Sequence, residues 1–417
     1  MSEFFETAQA IGARLCRDAI WSSSRCNWIG ASMEAVGGWT VVQKSFGPDL
    51  YSGTSGIGIL LAELAALNNE PVFRRTAEAA AAQAISRLED IPPCMRLGFY
   101  SGHSGIGYAL VRIGERLGNH ALIERGLAVF DGLSSLDVNE QGIDVISGLA
   151  GAIPSLLLMH KKFQRHSMLD LAMRCAERLE KTAQHSDAGW SWRTIEPTSP
   201  QQRNLTGFSH GTAGIAWAML ELAQAGGEQR FRKAADQALS YERRWFVRDQ
   251  GNWPDFREEP GAPKQSSPVC GVAWCHGAPG IGLSRLRVYE LTKDKASAQE
   301  AEIAGATTMR YLAMPQTEQA GYSLCHGCAG NADFLIEASR VLKNNAYRRV
   351  AEQIGRQGIA SFEQHRAPWP CGVLGGGETP NLLLGTAGIS LFYLRLDHPN
   401  QVAPVLMVGP AHAAANN

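Results

Sequence analysis

The stretch Gly53-Thr54-Ser55-Gly56-Ile57-Gly58-Ile59-Leu60-Leu61-Ala62-Glu63-Leu64-Ala65-Ala66-Leu67 joins two glycines three residues apart to an apolar run. Ile57, Leu60, Leu61, Leu64 and Leu67 recur at helical spacing. The positions between them are mostly apolar too, and a helix apolar nearly all round is buried on most of its sides. The glycine pair returns as Gly102 with Gly105, Gly148 with Gly151, Gly211 with Gly214, Gly277 with Gly280, Gly327 with Gly330 and Gly385 with Gly388. Each pair opens a helical pattern, and the first glycines lie 46 to 66 residues apart. Self-similarity at such a period marks a repeat architecture rather than a string of domains.

Between the copies lie amphipathic segments. Residues 72–88 are one, with Arg74, Arg75, Glu78 and Arg87 on the polar face. A polar-faced helix alternating with an apolar one, seven times, predicts an outer ring of helices around an inner ring: an all-α fold, an α/α toroid. Where inner helices converge, the backbone must turn tightly and pack closely, which a residue without Cβ tolerates best. Strand signals are sparse, with one short candidate at 39–43.

The bulk composition agrees with a globular chain. Of 417 residues, 19% are charged and 45% hydrophobic, enough to bury a substantial core. A formal net charge of -1 excludes the basic footprint of a nucleic-acid binder or a polybasic membrane patch. No apolar run reaches the roughly 18 to 20 residues needed to cross a bilayer. Residues 1–8 carry Glu3 and Glu6 and lack the basic start of a signal peptide. The expected location is cytoplasmic. Nine cysteines, an odd number without dense regular spacing, argue against a disulfide framework. In a reducing compartment, cysteines beside histidines point to metal or thiol chemistry; Cys16, Cys94 and Cys175 read as packing residues.

Two copies carry a cysteine ahead of the glycine pair: Trp274-Cys275-His276-Gly277 and Leu324-Cys325-His326-Gly327. At equivalent positions of neighbouring repeats, both would lie at the same end of the barrel. Two thiolates, one imidazole and an open fourth position form the pattern of a catalytic zinc site. Spacing leaves His276 and His326 as alternative third ligands. Cys328 competes weakly and Cys270 more weakly. His210, ahead of the fourth pair, projects to the same end as a general acid or base. His103 sits one residue later relative to its glycines. Asp144, four residues before Gly148, is placed to orient His210 or a substrate group, or to cap a helix.

The chain resembles the lanthionine synthetase C-like cyclases, and within them the C-terminal cyclase domain of class II lanthipeptide synthetases. The resemblance runs from Trp28-Ile29-Gly30 to Val405-Leu406. It rests on Leu50-Tyr51-Ser52-Gly53, on Asp144-Val145-Ile146-Ser147-Gly148-Leu149-Ala150-Gly151, and on Gly251-Asn252-Trp253-Pro254-Asp255. It rests further on the two Cys-His-Gly motifs, and on Leu384-Gly385-Thr386-Ala387-Gly388-Ile389 with Leu394-Arg395. The resemblance implies seven outer and seven inner helices, with Zn2+ held by Cys275, Cys325 and His326. It supports His210 as the acid/base residue with Asp144 behind it; His276 is the alternative donor.

The implied organisation is a helical lead-in at 1–27, a cyclase domain at 28–406 and a C-terminal tail at 407–417. The implied reaction adds cysteine thiols to dehydroalanine or dehydrobutyrine, forming thioether rings. Gly271 stands where some class I members have an active-site arginine. Residues 1–27 are too few for the dehydratase domain of the class II enzymes. The expected partners are therefore a dehydrated, cysteine-containing precursor peptide and a separate dehydratase. The rival readings are a prenyltransferase-like zinc enzyme, for which the motifs supply no carboxylate ligand, a non-catalytic peptide-binding scaffold, and a thiol-addition enzyme with another substrate.

Overall fold

The computed structural model describes residues 2–35, 39–199, 201–257, 269–314, 321–373 and 375–409. Among them, α1 (Glu3–Asp18), α2 (Thr54–Asn68), α3 (Pro71–Ser86), α4 (His103–Leu117) and α5 (His120–Leu133) come first. There follow α6 (Leu149–Phe163), α7 (His166–Thr182), α8 (Thr212–Gln224), α9 (Gln229–Arg244) and α10 (Ala278–Thr292). The series ends with α11 (Lys295–Leu312), α12 (Cys328–Leu342), α13 (Asn345–Gly358) and α14 (Thr386–Asp397). The tail expected at 407–417 lies outside the described residues from position 410 onward.

Each even-numbered helix packs on the next, and α14 packs on α2, which closes an inner ring of seven. Each odd-numbered helix from α3 to α13 packs on the even helix before it, and α1 packs on α14. The fold is an α/α toroid. The seven inner helices are the seven that follow the glycine pairs. In α2, every residue from Thr54 to Ala65 is buried, as the all-round apolar pattern requires. The outer helices bury one stripe: α13 buries Tyr347, Ala351, Ile354, Gly355 and Gly358. Helix α1, within the stretch read as a lead-in, takes the outer place beside α14, so packing crosses position 27 without a break. The strand candidate at 39–43 falls in β4 (Trp39–Ser45), antiparallel to β3 (Ile29–Ala35). Two smaller hairpins pair β1 (Ile20–Ser22) with β2 (Arg25–Asn27) and β5 (Gln184–Ser186) with β6 (Gly189–Ser191). No described helix is long and apolar enough to cross a membrane.

The glycine pairs have one steric explanation. The first glycine is the N-cap of its inner helix, and the second lies in the first turn. A Cβ on the second would run into the carbonyl oxygen six residues earlier, that of Leu50, Phe99, Val145, Phe208, Trp274, Leu324 or Leu382 in turn. Each loop therefore folds back against the helix it introduces. That contact presents the residue two before the first glycine to the barrel axis.

These residues form a girdle. Tyr51 donates its backbone N–H to Tyr100, Tyr100 to Ile146, Val145 to Ser209, Ser209 to Cys275, Cys275 to Cys325, Cys325 to Leu383 and Leu383 back to Tyr51, at 2.8 to 3.3 Å. Seven hydrogen bonds thus close a circle that joins all seven loops. Buried amides must be paired, and here the pairing sets the order and height of the loops.

The bore below the girdle is filled by the segment 402–408. Val402, Val405, Leu406 and Val408 are buried. Tyr100 donates its hydroxyl to the Val405 carbonyl and Trp274 its indole N–H to the Leu406 carbonyl, each at 2.8 Å. We expect Leu406→Ala to lower the unfolding free energy by about 2 to 5 kcal/mol, read as a shift of the urea midpoint at unchanged slope.

Candidate metal centre and its surroundings

In three successive repeats the residue just before the first glycine is histidine: His210, His276 and His326. In two of those repeats the girdle position is cysteine. The Cys275 amide donates to the Cys325 carbonyl at 3.3 Å, so the two thiols are neighbours by ring geometry although 50 positions apart in sequence. The Cys275 sulfur, the Cys325 sulfur and a ring nitrogen of His326 all lie within 4.8 Å of one another. Cys325 is buried, Cys275 half-buried and His326 exposed, so the cluster opens on one side. His326 Nε2 is 2.9 Å from the Gly372 carbonyl. That carbonyl can only accept, so Nε2 carries a proton and Nδ1 is the nitrogen left to face the sulfurs or, once deprotonated, a metal ion.

The electrostatics of the cluster favour a cation. The Cys275 thiol is held far below its ordinary range, first by a hydrogen bond from Cys325 and then by His326, against the cost of burial. Cys325 is pushed far up, first because it holds that shared proton, then by burial and by the charge on Cys275. One thiolate is thus favoured in the bare protein, and a second is opposed by the first. A divalent ion would remove that opposition, since metal ligation deprotonates thiols outright. Two thiolates and one imidazole, with Nδ1 available and an open side, fit zinc in a catalytic rather than a structural site. The hydrogen bond of His326 to Gly372 fits the outer partner that ligating histidines use to fix tautomer and ring orientation.

His210 lies beside the cluster and is oriented by Asp144. Its Nδ1 is 2.5 Å from Asp144 Oδ2, while Asp144 Oδ1 accepts from the Ser147 amide at 2.7 Å. The carboxylate therefore both caps its own loop and holds the imidazole, leaving Nε2 to exchange protons. Burial disfavours the charged ring, but the hydrogen bond and charge of Asp144 outweigh it and raise the His210 pKa. His276 is different. It is 3% exposed, its ring centre lies 6.0 Å from that of His210, and neither ring nitrogen has a hydrogen-bond partner among the described residues. Asp255 comes no closer than 3.9 Å. Burial lowers the His276 pKa, so it stays neutral where His210 is charged.

The other sequence candidates lie elsewhere. His103 uses Nε2 on the Leu88 carbonyl at 2.9 Å. Cys328 and Cys270 are outside the described metal-competent cluster; burial pushes both thiols up to about 11. Gly271 contributes its carbonyl, which accepts from the Asn252 side chain at 2.8 Å. Sequence reasoning missed three groups. Tyr51 donates its hydroxyl to the Cys325 sulfur at 2.9 Å. Asp255 and Arg257 pair at 2.5 Å, and the Arg257 charge acts on His210, His276, Cys325 and His326. Tyr51 shares the girdle position with the two cysteines, which was the available signal. Arg257 follows a quoted motif by two residues and carries no signal of its own.

Comparison with known proteins agrees with this architecture. The family described as lanthionine synthetase C-like protein matches residues 44–407. The glutathione S-transferase LANCL1 of Danio rerio is 22% identical over 291 residues, covering 68% of this chain and 67% of that protein. Among solved structures, nisin cyclase superposes with a TM-score of 0.66 at 18% identity, over 89% of this chain and 93% of its own. A GH76 α-mannanase of Bacteroides thetaiotaomicron superposes with a TM-score of 0.51 at 10% identity, covering 96% and 97%. At those identities the two structures speak to fold alone.

Proposed function

We propose that this chain, which belongs to the lanthionine synthetase C-like family, is a zinc-dependent cyclase acting on dehydrated, cysteine-containing peptides. The observation that carries the reading is the convergence of Cys275, Cys325 and His326 within 4.8 Å, beside a histidine whose proton is held by a buried carboxylate. Cys275, Cys325 and His326 would hold a zinc ion, which would supply the Lewis acidity that favours the thiolate form of a substrate thiol normally protonated at neutral pH, its proton passing to solvent.

The protein's own groups do the rest. The open side of the cluster admits the substrate sulfur. The new C–S bond forms at the β-carbon of a dehydroalanine or dehydrobutyrine as its double bond opens, leaving an enolate. His210, protonated and aimed by Asp144, delivers the proton from Nε2 to the α-carbon. Arg257 sets a positive charge beside the site, where negative charge develops on the substrate. His276, neutral and buried, is the alternative donor; its lowered pKa makes it the poorer one. A dehydratase that removes water from serine and threonine supplies the electrophile, and the site of action is the cytoplasm.

A second reading follows from the name of the Danio rerio relative, a glutathione S-transferase: the same thiolate site could take a small thiol rather than a peptide cysteine. The test offers the zinc-loaded protein a dehydrated peptide with and without an internal cysteine, the latter with added glutathione. Ring closure supports the cyclase, glutathione adducts alone support the second reading, and thiol consumption in neither arm removes both.

The roles of His210 and Asp144 separate by pH. His210→Ala should keep its zinc and lose about 10²- to 10⁴-fold in kcat, the range for a missing acid/base group. A donor works only while protonated, so a raised pKa carries activity to higher pH, and activity falls as pH rises through that value. Asp144→Asn removes the cause of the rise. Its pH–rate profile should therefore lose activity at lower pH than the parent, with zinc content unchanged.

A further inference from the structure

The Cys325 sulfur has a partner from across the ring. Tyr51 lies two girdle positions beyond it, past Leu383, and its hydroxyl donates to that sulfur at 2.9 Å. The backbone of Tyr51 is pinned on both sides, accepting from the Leu383 amide and donating to the Tyr100 carbonyl. A long side chain on a fixed backbone therefore reaches the ligand from a repeat that supplies no ligand itself. A phenol hydroxyl carries one proton to donate, and here it is directed at the sulfur. The groups acting on the Cys275 sulfur are the Cys325 thiol and the His326 ring, whereas Cys325 also has the Tyr51 hydroxyl, and the two sulfurs are therefore not equivalent.

We propose that Tyr51 is a positioning residue that tunes the metal centre by hydrogen-bonding the Cys325 thiolate; this rests on the zinc site proposed above. A hydrogen bond to a thiolate draws charge off the sulfur, so that ligand gives less to the ion. The ion stays more electron-poor, and the third sulfur, that of the substrate, is held more firmly as a thiolate. The bond also fixes the Cys325 rotamer, as outer partners do for metal ligands.

The test uses Co2+ in place of zinc in the full chain, because thiolate-to-cobalt absorption reports directly on charge at sulfur. In Tyr51→Phe the ring is kept and only the donor is lost. The absorption band should move to lower energy, and metal affinity should fall by about tenfold, within the range for lost outer partners. Incorporating 3-fluorotyrosine in the parent chain, which strengthens the donor without repacking, should move the band the other way. It keeps the test available if Tyr51→Phe folds poorly. Of the nine tyrosines, Tyr51 is the one that donates to a sulfur of the cluster among the described residues. Unchanged spectra in both proteins would overturn the role of Tyr51. Failure of the parent to bind cobalt through thiolates would instead overturn the underlying metal site.

Discussion

Cys325→Ala is expected to lose zinc and cyclase activity together. Apparent zinc binding by structural sites is worth roughly 10 to 16 kcal/mol. One of three protein ligands then stands for about a third of that, or a fall in affinity of about 10²- to 10⁴-fold. The substitution also leaves the Tyr51 hydroxyl without its acceptor and removes the donor that favours the Cys275 thiolate. Purified variant should contain almost no zinc and close no rings, while its helical circular dichroism stays that of the parent. Cys328→Ala is the control. That cysteine is buried at the start of α12 and stands outside the cluster, so it should keep a full zinc complement. If the two variants retained equal zinc, the assignment of Cys325 would fail.

Gly280→Ala should have the largest effect on stability. A Cβ at position 280 would overlap the Trp274 carbonyl and press on the Phe208 side chain. Relief requires moving the loop that carries Cys275 and His276, which is tied to its neighbours by the Ser209–Cys275 and Cys275–Cys325 girdle bonds. A loss of about 3 to 5 kcal/mol, at the severe end for a single substitution, is the expected outcome. Gly132→Ala, in α5, gives the contrast. No described residue lies within 4 Å of a Cβ there, and alanine in a helix outranks glycine by about 0.5 to 1 kcal/mol. Urea denaturation should show the first midpoint falling steeply and the second holding or rising.

Much of this molecule was legible in its residues because the signals are local. The inner helices announce themselves by apolar residues on every side, and each loop by a glycine pair that a Cβ would disrupt. Repetition turned seven weak local signals into one architecture. It also made Cys275 and Cys325 comparable, since equivalent repeat positions must converge at one end of a closed ring. The same logic placed His210 at that end.

Tertiary structure alone decided the rest. Nothing local says that α1 takes the outer place beside α14, because that depends on where the ring closes. The path of 402–408 through the bore depends on the width left inside seven helices. Tyr51 meets Cys325 across 274 positions of sequence, through a side chain long enough to pass a neighbouring repeat. Asp255 comes to 3.9 Å of the His276 ring from 21 positions earlier, with its amide bonded to the Val269 carbonyl. Apolar periodicity records which face of an element is buried, and it survives in sequence because many residues share the work. A single hydrogen bond between distant repeats is set by the closure of the whole ring, which no short stretch of chain contains.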